Sequence, residues 1–416
     1  MKTLLNCSRI WSNIHIHGQD FNRLDAQIKR CRRAPLLVSV ESRPNATEPS
    51  RRDELLKNIH EATEVIRKRR DQVTFLRVLM ACEQFHWLLG CDWPSLEEFV
   101  LIDSCPFGSK FHEDRYADSA CGCLPKLKVL FVQGSPNWPI DVATNLTAFK
   151  LRGTVDFKLE TLTKFFQRNT SLETLELIDL NVWRPPSGHR EQLIELPHLE
   201  TLSVRDGTCG SALAVLCLPS LKRLRVSSNG GQDPWKGSPW SEFCRGLPIT
   251  NLEAHYRSSS SHDGISVIGW SNGMDTESLC FSEFNLVDVL GITLFGSLSN
   301  ASLSSVTYLS LIKDMPEKLM SSSLVATTCD LLKYLPRVER MRLRPSPLVV
   351  GVVRRLGGDS KLCPGLRELA MRVTEKACKM VLDLVAEMKA RVDCGDRRKM
   401  IRVILLQSRE AGARAV

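Results

Sequence analysis

The chain has 416 residues, 43% hydrophobic and 25% charged, with a net charge of +9. These are the proportions of an ordinary soluble protein, and the charge falls short of the basic blocks of a tail-driven nucleic-acid binder. No run reaches the roughly 18 apolar residues of a membrane span, and the opening MKTLLNCSRIW is too short for a secretory core.

The N-terminal portion alternates short strands and helices. RIWSNIHIHG reads as a strand, residues 21–33 as a helix and APLLVSVES as a second strand. Residues 42–50 form a polar loop and 51–70 a second helix. A strand follows, with Val73, Leu76 and Val78 inward. The first strand has no cap before it, so Trp11, Ile14 and Ile16 are expected to form a sticky edge.

From residue 94 a phrase recurs: Pro, Thr or Ser, one further residue, then Leu-x-x-Leu-x-Leu or an apolar variant. It reads PSLEEFVLIDS at 94–104, PKLKVLFVQGS at 125–135, TNLTAFKLRGT at 144–154 and TSLETLELIDL at 170–180. It continues as PHLETLSVRDG, PSLKRLRVSSN, SSVTYLSLIKD, PRVERMRLRPS and PGLRELAMRVT, starting at 197, 219, 304, 336 and 364. This is a leucine-rich-repeat signature. Within each phrase the apolar residues at +3 and +5 share a strand face, as Leu175 and Leu177 do. One such unit cannot bury its apolar face alone, so stacking must supply the core.

The first apolar positions fall unevenly, at 96, 127, 146, 172, 199, 221, 306, 338 and 366. The long interval after 221 contains a degenerate unit, TNLEAHYRSSS at 250–260. Its inward positions would be Leu252, His255 and Arg257, which breaks the pattern. Gly/Ser/Pro-rich loops at 227–241 and 257–264 flank it. Helices are expected at 155–169, with Leu159, Leu162, Phe165 and Phe166 on one face, at 316–335 and at 374–392. The fold expected is an α/β, irregular leucine-rich-repeat solenoid, a horseshoe with parallel strands on its concave face and helices outside. It forms a single domain over 1–408. Divergent repeats occupy 1–93 and clearer ones 94–374, with an irregular insertion near 227–300; a C-terminal helix and strand occupy 375–408 and a flexible tail 409–416.

Chemistry-bearing motifs are sparse. There is no dinucleotide or P-loop glycine pattern and no H-E-x-x-H, so no cofactor is expected. One G-x-S-x-G stands at Gly269–Gly273, but a Ser nucleophile needs a downstream His and the last His is His262. The 15 cysteines include no C-x-x-C and read as buried free thiols. Cys121, Cys123 and His112 lack structural-zinc spacing, and His15 with His17 on one strand face falls short of a ligand set, so no metal is assigned. These readings point away from an enzyme. Basic runs at 29–33, 67–70 and 397–399 could serve import or nucleic acid. The first two complement helix C-termini, and aromatic interleaving is lacking, which argues against nucleic acid.

The segment from Trp11 to Ser42 resembles the stretch that follows the F-box in basidiomycete-type F-box/leucine-rich-repeat proteins. Trp11, Ile14 and Ile16 match a tryptophan-containing strand. Leu24, Ile28, Arg30, Ala34, Pro35 and Leu36 match the helix after it and its exit. The resemblance implies a substrate-binding solenoid of a cullin ubiquitin ligase, cytoplasmic or nuclear. The F-box itself is missing from this chain, so no residue inherits the docking of a Skp-type adaptor. That adaptor is a partner only if an F-box is supplied elsewhere. The alternatives are a free-standing scaffold unconnected to ubiquitin, or a truncated gene model.

The outward strand face carries the candidate site. Positions +2, +4 and +6 from each first apolar residue point away from the core. Among these 27 positions nine are basic: Lys150, Arg152, Arg205, Arg223, Arg225, Arg340, Arg342, Arg344 and Arg372. Three are acidic, Glu98, Glu176 and Glu368, against 56 basic and 47 acidic residues in the chain as a whole. An enriched arginine face is expected to bind an acidic protein segment by bidentate contacts, with no membrane partner.

Overall fold

The computed structural model describes residues 11–16, 21–41, 49–80, 90–103, 123–134, 143–153, 156–183, 193–207, 213–227, 243, 247, 249–258, 263–270, 279–285, 303–313, 329, 332–333, 335–344, 347–358, 362–373, 382–383, 386 and 402–407. The chain is a mixed α/β protein that falls into two compact units. One comprises residues 1–203 and 207–219, the other 204–206 and 220–416.

The first unit is built on a parallel ladder. Its strands are β1 (Asn13–Ile16), β2 (Leu36–Glu41), β3 (Val73–Met80), β4 (Glu98–Asp103), β5 (Val129–Gln133), β6 (Ala148–Arg152) and β8 (Thr174–Trp183). Each pairs in parallel with the next. A parallel pair needs a crossover, and three helices supply one each. They are α1 (Phe21–Cys31), α2 (Pro49–Arg67) and α3 (Leu159–Arg168). The short β7 (Asp156–Lys158) pairs with the far end of β8. The pair β9 (Ile194–Glu195) and β11 (Leu216–Cys217) stands apart, and β10 (Thr201–Gly207) lies between them in the chain.

Four of the five phrases in this unit fold the same way, the exception being 144–154, where the Leu146 amide donates to the Asn169 side chain. In the four, the amide of the first Leu closes a turn on the carbonyl three residues back: Leu96 on Trp93, Leu127 on Leu124, Leu172 on Asn169 and Leu199 on Leu196, each at 3.2 Å. The next amide reaches the preceding strand, as Lys128 N–H to Glu97 O at 2.8 Å and Glu173 N–H to Thr147 O at 2.8 Å. These bonds fix register, and register sets Phe99, Leu130, Phe149 and Leu175 in one buried row and Leu101, Val132, Leu151 and Leu177 in a second. Leu159, Leu162, Phe165 and Phe166 of α3 are buried, as its periodicity predicts.

Asn169, fully buried, joins three of these pieces. Its Oδ1 accepts the Leu146 amide at 3.0 Å, and its Nδ2 donates to the carbonyls of Ala143 at 2.9 Å and Phe165 at 2.8 Å. The Phe165 carbonyl is one of the orphans at the C-terminal end of α3. The Asn169 carbonyl then opens the next phrase by accepting from Leu172.

Gly134 ends β5 at φ +82°, and a Cβ there would lie 3.1 Å from the Asp103 Cβ. Gly134→Ala is expected to lower stability by about 1–2 kcal/mol, since it adds αL strain to a tight contact. An unchanged denaturation midpoint would contradict this.

The sticky N-terminal edge is corrected by the structure. Ile14 and Ile16 are buried, and Trp11 is half-buried with the Arg30 guanidinium 4.6 Å from its ring centroid. The Trp11 carbonyl accepts from Gln27 Nε2 at 3.2 Å and Cys31 Sγ at 2.8 Å. The helix that follows β1 covers what the sequence left open. Val73, Leu76 and Val78 are inward as expected.

In the second unit the ladder changes character. Its strands are β12 (Arg223–Ser227), β13 (Asn251–Ser258), β14 (Asp263–Trp270), β15 (Leu279–Asn285), β16 (Tyr308–Lys313), β17 (Arg340–Leu343), β18 (Glu368–Val373) and β19 (Arg402–Gln407). β12 pairs in parallel with β15, β15 antiparallel with β14, and β14 antiparallel with β13. From β13 the parallel ladder resumes through β16, β17, β18 and β19. A helix not expected from the sequence, α4 (Pro347–Gly358), connects β17 to β18. It buries Val352, Val353 and Leu356.

The degenerate unit is also corrected. β13 aligns Leu252 with Leu309 and Ala254 with Leu311, the inward positions of β16. Its phrase therefore begins at the buried Ile249, three residues before the assumed start, and the register places of the inward residues fall at Leu252 and Ala254 rather than at His255 and Arg257. Thr250 takes the usual ladder place, its carbonyl accepting the Thr307 amide at 2.8 Å. The expected loop at 257–264 narrows, because β13 runs to Ser258 and β14 begins at Asp263. The interval before 306 is long because a hairpin partner and a further strand are inserted into the sheet. The loop at 227–241, most of the helices at 316–335 and 374–392, and the tail at 409–416 lie outside the described residues.

Candidate functional site

A strand whose +3 and +5 residues are buried must turn +2, +4 and +6 the other way. The described basic candidates follow this rule. Arg152, Arg223, Arg225, Arg340 and Arg342 are exposed, and Lys150, Arg205 and Arg344 are half-exposed. Arg372 lies on β18, its side chain outside the described residues.

In the first unit one outward cation is paired. Lys150 Nζ lies 2.7 Å from Glu176 Oε2, its register neighbour on β8, and 5.3 Å from the Phe131 ring centroid. An exposed pair of this kind contributes about 0–1 kcal/mol. The dominant outward side chains on β4 and β5 are apolar: Val100, Ile102, Val129 and Phe131, all half-exposed. On β2 and β3, Leu37 is 41% exposed and Phe75 and Leu79 are half-exposed. A count of charges along the strands overlooks this strip, although the outward positions EFVLI and VLFVQ spell it out.

In the second unit β17 carries arginines at alternate outward positions. Register sets Arg340 between Tyr308 and Glu368, and Glu368 beside Arg402. The Arg340 guanidinium lies 5.9 Å from the Tyr308 ring centroid, within cation–π range. Arg342 stands between Ser310 and Ala370, with no acid beside it in its row. Arg402 occupies the register place next to Glu368 on β19. It was missed because β19 carries no Leu-x-x-Leu phrase.

Several strands separate the strip of Arg223 and Arg225 from that of Arg340 and Arg342. β12, with Arg223 and Arg225, is followed across the sheet by β15, β14, β13 and β16 before β17. At about 4.8 Å per strand the strips lie roughly 24 Å apart. An extended peptide needs about seven residues to span that distance. A segment shorter than that reaches one strip, not both.

Other candidates are scattered. His15 is exposed on β1, and His17, His112 and Cys121 lie outside the described residues. Cys123 is exposed, its amide donating to Asp92 Oδ1 at 2.7 Å. No group of three metal-capable side chains is found among the described residues. Gly269 and Trp270 end β14, a strand antiparallel to both its neighbours, and the rest of that G-x-S-x-G lies outside the described residues. No helix among the described residues is long and apolar enough to cross a membrane.

The described thiols sort by burial. Desolvation pushes the thiols of Cys31 and Cys91 up, against a smaller lowering by a backbone hydrogen bond at Cys31 and by Arg67 at Cys91. Thiolate is the reacting form. Brief iodoacetamide treatment at mildly alkaline pH is expected to label Cys123 and Cys217 first, both exposed, and to leave Cys31 and Cys91 unlabelled until denaturant is added. Peptide mapping checks this, and early labelling of Cys31 would refute it.

No family model and no curated protein matches the sequence.

Proposed function

We propose that the chain is an irregular leucine-rich-repeat solenoid, a horseshoe with its parallel strands on the concave face, working as a non-enzymatic protein-recognition module. The observation that carries this reading is the repeated unit: a turn, a ladder bond and a strand that recur from phrase to phrase. Such a unit spends its inward residues on the core and leaves its outward residues variable, which suits a binding surface. The exposed arginines of β17, Arg340 beside Tyr308 and Glu368 and Arg342 between Ser310 and Ala370, favour an acidic protein segment as ligand.

Within that reading, the chain is similar to the substrate-binding part of an F-box protein of a cullin ubiquitin ligase, through the residues from Trp11 to Leu36. A free-standing scaffold unconnected to ubiquitin is the alternative. Affinity capture of the tagged chain from its host, read by mass spectrometry, separates the two. Recovery of a Skp-type adaptor and a cullin supports the ligase assignment. Their absence beside reproducibly enriched proteins supports the scaffold. A chain that enriches nothing contradicts the recognition reading itself.

A further inference from the structure

We infer that the acidic protein segment is bound extended, lying along β17, with a carboxylate on every second residue over Arg340, Arg342 and Arg344. This rests on the recognition reading and deepens it, by giving the ligand a direction, a conformation and a charge spacing. Arg340 and Arg342 are exposed on β17, and Arg344, one residue past the strand, is half-exposed. Among the described residues none of the three makes an ion pair. Lys150, by contrast, is already held by Glu176 of its own sheet. The Tyr308 ring, 5.9 Å from the Arg340 guanidinium, supports that side chain without neutralising it.

Charge sets the direction. Laid across the sheet through Arg340, a segment passes Tyr308, one cation and then Glu368. Laid across through Arg342, it passes Ser310, one cation and Ala370. Along β17 three cations follow one another, and the residues between them, Met341 and Leu343, are buried in the core. β12 offers two, Arg223 and Arg225, and ends at Ser227. Glu368 flanks the Arg340 end of the track, so the charge of the ligand concentrates over Arg342 and Arg344. Conformation follows from that direction. Same-face residues of a strand recur about every 6.6 Å, so the three arginines span about 13 Å, and alternate carboxylates of an extended segment keep the same step. Carboxylates at i, i+4 and i+7 of a helix span about 10 Å and fall behind. A nucleic acid shares the charge but needs aromatic platforms for its bases, and β16 to β18 carry one aromatic residue, Tyr308.

The test titrates the full chain into two labelled peptides of equal length and charge, read by fluorescence anisotropy. One alternates three Glu with Thr and Val; the other sets three Glu at i, i+4 and i+7 of an alanine-rich helix. The alternating peptide is expected to bind severalfold tighter, and less tightly as salt is raised. Its affinity should fall about tenfold or more when Arg342→Ser and Arg344→Ser are combined, and rise about twofold in Glu368→Gln. Combining Arg223→Ser with Arg225→Ser should leave it within about twofold of the parent chain. Thermal unfolding must show each variant as stable as the parent. Equal or tighter binding of the helical peptide would overturn the inference, as would a loss through Arg223 and Arg225 instead of Arg342 and Arg344. Tighter binding of a short oligodeoxythymidylate through the same arginines overturns it too, because the occupant is then a nucleic acid. If the folded chain ignores both peptides the inference fails, and capture of proteins from the host decides separately whether the recognition reading stands.

Discussion

Asn169→Leu is expected to lower the unfolding free energy by about 3–5 kcal/mol, read as a shift in the urea midpoint. The leucine keeps the volume and removes three hydrogen bonds at once. It strands the Leu146 amide and the carbonyls of Ala143 and Phe165, in a place where Asn169 is fully buried. Each stranded buried group costs about 1–3 kcal/mol. Asn169→Asp separates hydrogen bonding from size. The carboxylate still accepts from Leu146 but sets an oxygen against two carbonyls where an amide donated. It is expected to be as damaging as Leu. A midpoint like that of the parent chain in either variant would show that these bonds do not join the helix to the strand turns.

Phe165→Ala, one turn earlier and on α3, is expected to cost about 3–5 kcal/mol. Its ring is fully buried, 4.3 Å between centroids from Phe149 on β6 and 5.6 Å from Phe166. Truncation opens a cavity between α3 and the strand it covers. Asn169 lies just past the end of α3 and bonds the Phe165 carbonyl, so the effects of the two substitutions should not add. The double variant is expected to lose less than the sum, because a helix already released has little left to lose. Strict additivity would mean that Asn169 and Phe165 hold separate parts of the unit.

How far the sequence could be read depended on what each pattern encodes. The period-2 apolar phrase specified strands, and each of the nine phrases produced one, β4 and β5 among them. Helical periodicity likewise placed the buried face of α3. The 250–260 unit was misread because its phrase is anchored by Ile249 instead of Leu252, and only the pairing of Leu252 with Leu309 shows which residue starts it. Insertion of β14 and β15 into the sheet is a non-local event that no short phrase announces. α4 was hidden because PLVVGVVRRLGG is rich in β-branched residues and glycine, both poor helix signals. Asn169 gave no sign either, since RNTSL reads as an ordinary turn until the carbonyls around it are known. At the candidate face, charge was legible residue by residue. The distance between the Arg225 and Arg342 strips was not, for it depends on the inserted strands. The apolar row through Val100 and Phe131 was visible, but lay outside a tally of charges.

The most direct measurement compares captured proteins, by quantitative mass spectrometry, between the parent chain and one with Arg223, Arg225, Arg340, Arg342 and Arg344 all changed to Ser. Thermal unfolding of the two chains must coincide, as exposed arginines on a sheet surface allow. The account predicts that the partners of the parent chain are depleted about tenfold or more from the variant, and that the loss is mirrored by raising the salt. An unchanged set of partners from an equally stable variant would contradict it, and would leave those arginines as solvated charges on a surface that binds elsewhere.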